Sequence, residues 1–314
     1  MSTRLRTGLA VGAALIALSL VAAAPQAHAQ QSLYGSSGFV VLKFTADGNS
    51  SIFAFTKLNE PQGLAFDSMG NLYVADYSDN TIKKFNSLGS YASTFATGLN
   101  NPFGLAFDGS GNLYVANKGN GTIEEISSTG STSTFASGLS GPVGLAFDST
   151  GSLYVTNDKG NGSGTIVKFT PGGVGTQFAS TQNHPEGLAF DSVGNLYVAN
   201  FYGGSVNKGS IQEFTPGGVS SVFAASGLNL PIGLAFDNAG NLYAANSGGD
   251  GSIEKFSSTG SLSTFAGGEY ADFLTFGPPS PAAVPEASTP VSLGLLLTLG
   301  LAGMAITARK KRRA

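Results

Sequence analysis

The pentapeptide Gly-Leu-Ala-Phe-Asp occurs five times in the 314 residues, beginning at Gly63, Gly104, Gly144, Gly187 and Gly233. Successive copies are 41, 40, 43 and 46 residues apart. A period in this range means an array of one supersecondary unit and excludes folds built on a single irregular core. Each copy continues alike. In the first, a turn at residues 67–71 leads to Leu-Tyr-Val-Ala (72–75), then Ile-Lys-Lys-Phe (82–85), then Ser-Thr-Phe-Ala (93–96). Four short apolar or alternating runs, separated by Gly, Asn, Asp and Ser, predict four strands. Gly70, Gly111, Gly151, Gly194 and Gly240 keep one offset, which predicts a tight turn with positive φ there.

Four strands in about 41 residues is the arithmetic of a propeller blade. The two ends supply a sixth unit. Leu33-Tyr34 matches Leu72-Tyr73, residues 41–44 match 82–85, residues 51–54 match 93–96, and residues 273–276 stand where the next repeat begins. The expected fold is all-β: a six-bladed β-propeller of four-stranded blades over residues 30–277. One blade is split between three N-terminal strands and one C-terminal strand. Such a blade closes the ring by strand pairing and leaves no open sheet edge at either end of the array. An open solenoid would carry atypical capping repeats instead. Composition agrees: charged residues are 11% and glycines number 45, against a usual charged share of roughly 25%. The chain has no Cys, which excludes disulfides, zinc ribbons and thiol nucleophiles. No G-x-S-x-G elbow appears either.

The ends read as targeting segments. Residues 1–29 form an expected signal peptide: Arg4 and Arg6, an apolar run at 9–24, and Ala27-His28-Ala29 as a cleavage pattern. Residues 278–290 read as a linker and 291–308 as an apolar span at the short end for a membrane crossing. The basic tail 309–314 stays cytoplasmic by the positive-inside rule. Val284-Pro285-Glu286, the apolar span and the basic end, in that order, resemble the bacterial PEP-CTERM sorting signal, with Ala287 where that family usually has Pro. The resemblance implies an exosortase-type processing enzyme as partner and membrane attachment through the C-terminal segment before processing. It further implies an extracytoplasmic location, secreted or at the cell surface, near a polysaccharide matrix. Between the two ends lie nine lysines, no arginine and eighteen acids. That negative balance argues against nucleic acid as a partner.

The runs of the form P-x-G-L-A-F-D-x-x-G-N-L-Y-V-A-N, such as residues 102–117, resemble NHL repeats and gluconolactonase-like six-bladed propellers. This fold hosts lactonases, lyases, hydrolases and binding modules, so function must be argued from a site. The predicted second strands end at Asp76, Asn117, Asn157, Asn200 and Asn246, with Ser37 in the split blade. This near-ring of oxygens suits a hard cation or sugar hydroxyls. Asn and Asp also begin turns, and repetition in every blade favours that role. The residue at the start of each inner strand varies instead: Gln62, Phe103, Val143, Glu186, Ile232 and Asp272. In gluconolactonase-like propellers a Glu near this point binds a divalent metal. The resemblance thus implies a metal such as calcium on Glu186 with Asn200, Asn157 and Asp272, although that family's metal-binding Asp has no clear match here. His184, the only His beyond the signal peptide, and Phe201 and Tyr202 in the longest insertion are candidate ligand contacts.

Near-identical blades without an evident catalytic constellation make a non-enzymatic binding or scaffold module the leading expectation. It would sit in an exopolysaccharide matrix and engage polysaccharide or another surface protein. The alternative is a divalent-metal-dependent lactonase- or lyase-like enzyme with its site at the channel mouth.

Overall fold

A computed structural model of the protein describes residues 31–202 and 209–279. The expected signal peptide, the motif Val284-Pro285-Glu286, the apolar span and the basic tail lie outside the described residues. Twenty-four strands form six four-stranded antiparallel sheets, and the described residues contain no helix. The sheets are the six blades of a β-propeller. Blade 2 shows the plan. Inner strand Pro61–Phe66 pairs with Leu72–Asp76, which pairs with Thr81–Phe85, which pairs with the outer strand Tyr91–Ala96. Blades 3 to 6 start their inner strands at Pro102, Pro142, Pro185 and Pro231. Blade 1 is the split one: Leu33–Ser37, Val40–Phe44 and Ser50–Ala54 are completed by inner strand Leu274–Phe276, with Leu274 opposite Gly35.

The turn chemistry explains the strand boundaries. Asp67 Oδ1 accepts hydrogen bonds from the backbone N–H of Met69 at 3.0 Å and of Asn71 at 2.8 Å, while its Oδ2 accepts Asn71 Nδ2 at 2.8 Å. Gly70 sits at φ 79°, where a side chain would be strained. Asp108, Asp191 and Asp237 repeat the same set of bonds.

Blades are joined by an aromatic motif that recurs at all six seams. The Tyr of each second strand meets two Phe rings edge-on. One comes from its own outer strand and one from the inner strand of the next blade. Tyr73 thus touches Phe95 at 4.8 Å and Phe107 at 5.1 Å. The ring closes through Tyr243 and Phe276 at 5.2 Å, across the junction of blade 6 with the split blade. Each edge-to-face pair adds about 0.5–1.5 kcal/mol beyond the area it buries.

At the axis the inner-strand glycines let backbones approach closely. A Cβ on Gly63 would stand 2.2 Å from the carbonyl oxygen of Phe103, and one on Gly104 2.1 Å from that of Val143. In the split blade the corresponding residue is Phe273, 8% exposed. The central space lined by Gly63, Gly104, Gly144, Gly187, Leu234 and Phe273 is only about 50 Å³. That volume passes little more than single water molecules, so chemistry on larger molecules is confined to the mouths.

Candidate functional site at the channel mouth

The ring of Asn and Asp residues is first of all structural. Asp76 Oδ1 accepts the backbone N–H of Asn59, Asn117 that of Asn100, Asn157 that of Ser140, and Asn246 that of Asn229. In each case the donor lies 17 residues upstream, in the loop entering the same blade. The side chain pins that loop to the end of the second strand. Asn157 accepts a further bond from Gly141 N–H at 3.1 Å, so its carbonyl oxygen is fully engaged. The role is structural, as repetition in every blade favoured, but it ties a distant loop rather than beginning a turn.

Blade 1 has Ser37 instead, whose Oγ donates to the Glu269 carbonyl, and blade 5 departs from the rule although it keeps the Asn. Asn183 N–H, the expected donor to Asn200, goes to the carbonyl of Gly162 instead. Asn200 Oδ1 is buried with no hydrogen-bond partner among the described residues, while its Nδ2 donates to Gln212 Oε1 at 3.0 Å. The residue before each inner-strand Pro is left-handed in several blades, as at Glu60, Asn101 and Leu230. Blade 5 has two such residues in a row, Asn183 at φ 65° and His184 at φ 54°. A strained loop that departs from its repeats is where a functional side chain is expected.

That loop delivers His184 to a carboxylate. His184 Nδ1 lies 3.1 Å from Asp158 Oδ2, with both side chains largely shielded. When the imidazole is neutral, Nδ1–H donates to the carboxylate and Nε2 is the lone-pair nitrogen. Tyr202 meets the imidazole edge-on at 5.3 Å and Phe201 meets Tyr202 at 4.8 Å. Tyr202 is 41% exposed. Tyr202 thus stands edge-on between His184 and Phe201 and is partly open to solvent.

Two residues on, Glu186 is buried. Burial pushes its carboxyl up to about 7. Lys118 and His184 draw it back down, whereas Asp158 and Asp272 push it further up. Burial also raises Asp272, to about 6. Glu186, Asp158, His184, Asp272 and Lys118 thus share one electrostatic neighbourhood, although they come from four blades. Beside it lies an aromatic wall. Lys118 Nζ is 4.4 Å from the centre of the Phe103 ring, which packs edge-on against Phe273 at 5.3 Å and Tyr77 at 5.8 Å.

Two of the four residues that the resemblance assigned to a divalent metal are the acids Glu186 and Asp272, and two are amides, of which Asn200 keeps an Oδ1 without a partner among the described residues. Among the described residues no three Asp, Glu or His side chains come close enough together to hold a metal ion. Asn157 is committed to Ser140 and Gly141.

Asp158 and Lys118 are site residues that the inner-strand positions did not point to. They occupy the position directly after the Asn/Asp cap, which reads Gly38, Tyr77, Lys118, Asp158, Phe201 and Ser247 around the ring. Six different residues beside a nearly fixed one is a signal present in the repeats themselves. A larger cavity, about 710 Å³, lies at the opposite end between blades 6 and 1. Its Asp237 is occupied by its own turn, and its Lys255 lies over Tyr243 at 5.2 Å. It contains no comparable acid–base set among the residues that line it.

Comparison with known proteins agrees with this architecture. The NHL repeat model matches residues 58–85, the inner three strands of blade 2. No curated protein matches the chain. A catalytically inactive virginiamycin B lyase from Staphylococcus aureus, solved with quinupristin, is 17% identical and superposes with a TM-score of 0.57 over 76% of this chain and 86% of that one. A gluconolactonase from Xanthomonas campestris is 18% identical, with a TM-score of 0.57 over 80% of this chain and 86% of that one. A streptogramin B lyase is 18% identical, with a TM-score of 0.52 over 74% of this chain and 72% of that one. At such identities the likeness is one of fold: the chain has the six-bladed propeller architecture seen in these lyases and lactonases, and one of its blades matches the NHL repeat.

Proposed function

We propose that the protein is an enzyme that breaks an ester or lactone bond by acid–base catalysis at the channel mouth. The observation that carries this is the His184–Asp158 pair at the loop that leads into the buried Glu186, in a blade where the Asn cap lacks its usual backbone donor. Asp158 orients the imidazole, and Nε2 takes a proton either from water, which adds to the ester carbonyl carbon as the acyl C–O bond breaks, or from the carbon adjacent to the alkyl C–O carbon, so that the alkyl C–O bond breaks to give an alkene and a carboxylic acid. Glu186, whose carboxyl burial raises to about 7 so that a large share keeps its proton at neutral pH, gives a proton to the departing oxygen. Lys118 adds positive charge nearby. The choice of an ester or lactone draws on the lactonase and lyases that share the fold. Nothing at the mouth singles out the scaffold role, which needs only a rigid ring.

The test is a panel of lactones and aryl esters offered to the protein and to the variants His184→Ala and Glu186→Gln, with circular dichroism confirming the fold. General acid–base groups contribute about 10²–10⁴-fold, so each variant is expected to lose at least about a hundredfold in kcat/KM. Water labelled with oxygen-18 separates the two chemistries: hydrolysis puts label in the acid product, elimination does not. Equal turnover by all three proteins, or turnover of no panel member, would overturn the proposal.

A further inference from the structure

The fourth residue of the second strand is Ala in four blades: Ala75, Ala116, Ala199 and Ala245. All four are completely buried. Blade 4 carries Thr156 there, also fully buried. A hydroxyl in that place is costly unless both its donor and acceptor capacities are met. They are met, and the partners are specific. Thr156 Oγ1 accepts the backbone N–H of Gly144 at 2.7 Å and donates to the backbone carbonyl of Glu186 at 2.6 Å. The hydroxyl therefore bridges the inner strand of its own blade to the inner strand of the next, at the residue that carries the buried carboxyl. The seam is tight: a Cβ on Gly144 would stand 2.6 Å from that same carbonyl oxygen. Blade 1 has Ser36 at the corresponding position, and its Oγ accepts the N–H of Phe273 at 3.1 Å, next to Asp272. Hydroxyls thus replace Ala in two blades, and each binds the main chain at or beside one of the two acidic inner-strand residues.

We propose that Thr156 is a positioning residue, which fixes the main chain of Glu186 and so sets where its carboxyl stands relative to His184. This rests on the acid–base reading of the mouth. The two bonds satisfy the buried hydroxyl, and both end on inner-strand main chain, one of them at Glu186 itself. Positioning within a fraction of an ångström matters, because small misplacement of a catalytic group costs rate without preventing binding.

The experiment compares the wild-type protein with Thr156→Ala and Thr156→Ser. Alanine is the residue of four other blades, so the strand accommodates it. Two readouts are taken: kcat and KM on the substrate found by the panel, and the carbon-13 carboxyl resonance of Glu186, assigned by its loss in Glu186→Gln and followed against pH. In Thr156→Ala we expect kcat to fall about tenfold with KM within about twofold, the mark of an interaction used in the transition state. We also expect the resonance to titrate lower than in wild type, as water reaches a carboxyl no longer held in place. Thr156→Ser keeps the hydroxyl and is expected to restore both. An unmoved resonance in Thr156→Ala overturns the proposal whatever the turnover shows. Turnover untouched in Glu186→Gln overturns the acid–base reading instead, and the resonance still decides whether Thr156 places the carboxyl.

Discussion

Glu186 gains a proton more readily in the folded protein than in the unfolded chain, because burial disfavours its charged form. Between its ordinary value of 4.5 and about 7, the native state binds the extra proton. The stability this contributes is complete below the ordinary value and is lost as pH rises through about 7. Asp272 and Asp76, both raised to about 6 by burial, act in the same direction. The melting temperature is therefore expected to fall from pH 4.5 to pH 7.5. Glu186→Gln removes its share, on the order of a few kcal/mol for a shift of this kind, and flattens the fall. A Tm equally steep in the variant would show that Glu186 is already ionised at neutral pH. At this scale the sequence was half legible. Glu186 and Asp272 stood out as acids where other blades have apolar residues or Gln. The partners did not, because which side chains meet at the mouth depends on how four blades converge, and Asp158 and Lys118 are 26 and 66 residues from His184. The cap residues misled in the opposite direction: Asn157 looks like an oxygen donor until its two backbone N–H partners are seen.

Strands and turns were legible almost entirely, since five copies of one unit show which positions must be small, apolar or turn-forming. The inner-strand glycines give a sharp test. Gly104→Ala places a methyl 2.1 Å from the carbonyl oxygen of Val143, against backbone that cannot swing aside. Overpacking of this kind costs about 1–3 kcal/mol, and each kcal/mol lowers Tm by roughly 2–4 °C at this size. Gly109→Ala is the control: its Cβ would meet nothing within 4 Å. Calorimetry should show a drop of several degrees for the first and almost none for the second. Equal effects would mean that the close approach at the axis is not what selects glycine. The loop before blade 5 was not legible. The third and outer strands of blade 4, Ser163–Phe169 and Gly175–Gln182, are longer than those of its neighbours, and their hairpin brings the Gly162 carbonyl to Asn183 N–H. The sequence Asn183-His184-Pro185 carries no sign of that exchange, yet it leaves Asn200 without its usual donor.

Over the whole molecule, repetition and its exceptions divide the labour. The six Tyr–Phe seams, the Asp-based turns and the axial glycines are shared among blades and hold the ring. The mouth residues are not shared, and they gather an imidazole–carboxylate pair, two proton-holding acids, one ammonium group and an aromatic wall on one end of it. Phe273 in place of the sixth glycine helps narrow the axis, so the proposed substrate would meet these groups from outside and leave the same way. The count of blades and the split closure followed from spacing alone, whereas a ring of near-identical units made a passive scaffold look sufficient. What the spacing could not convey is that the asymmetry is concentrated at one mouth.

The most direct test of the account is the pH dependence of kcat/KM from pH 5 to 9, measured for the wild-type protein and Glu186→Gln on the same substrate. The free enzyme's catalytic acid sets the alkaline limb. With Glu186 as the acid, the rate falls above about pH 7 as its proton is lost, and Glu186→Gln is much slower and shows no such fall. A wild-type rate that stays level through neutral pH, or the same alkaline limb in both proteins, would contradict it.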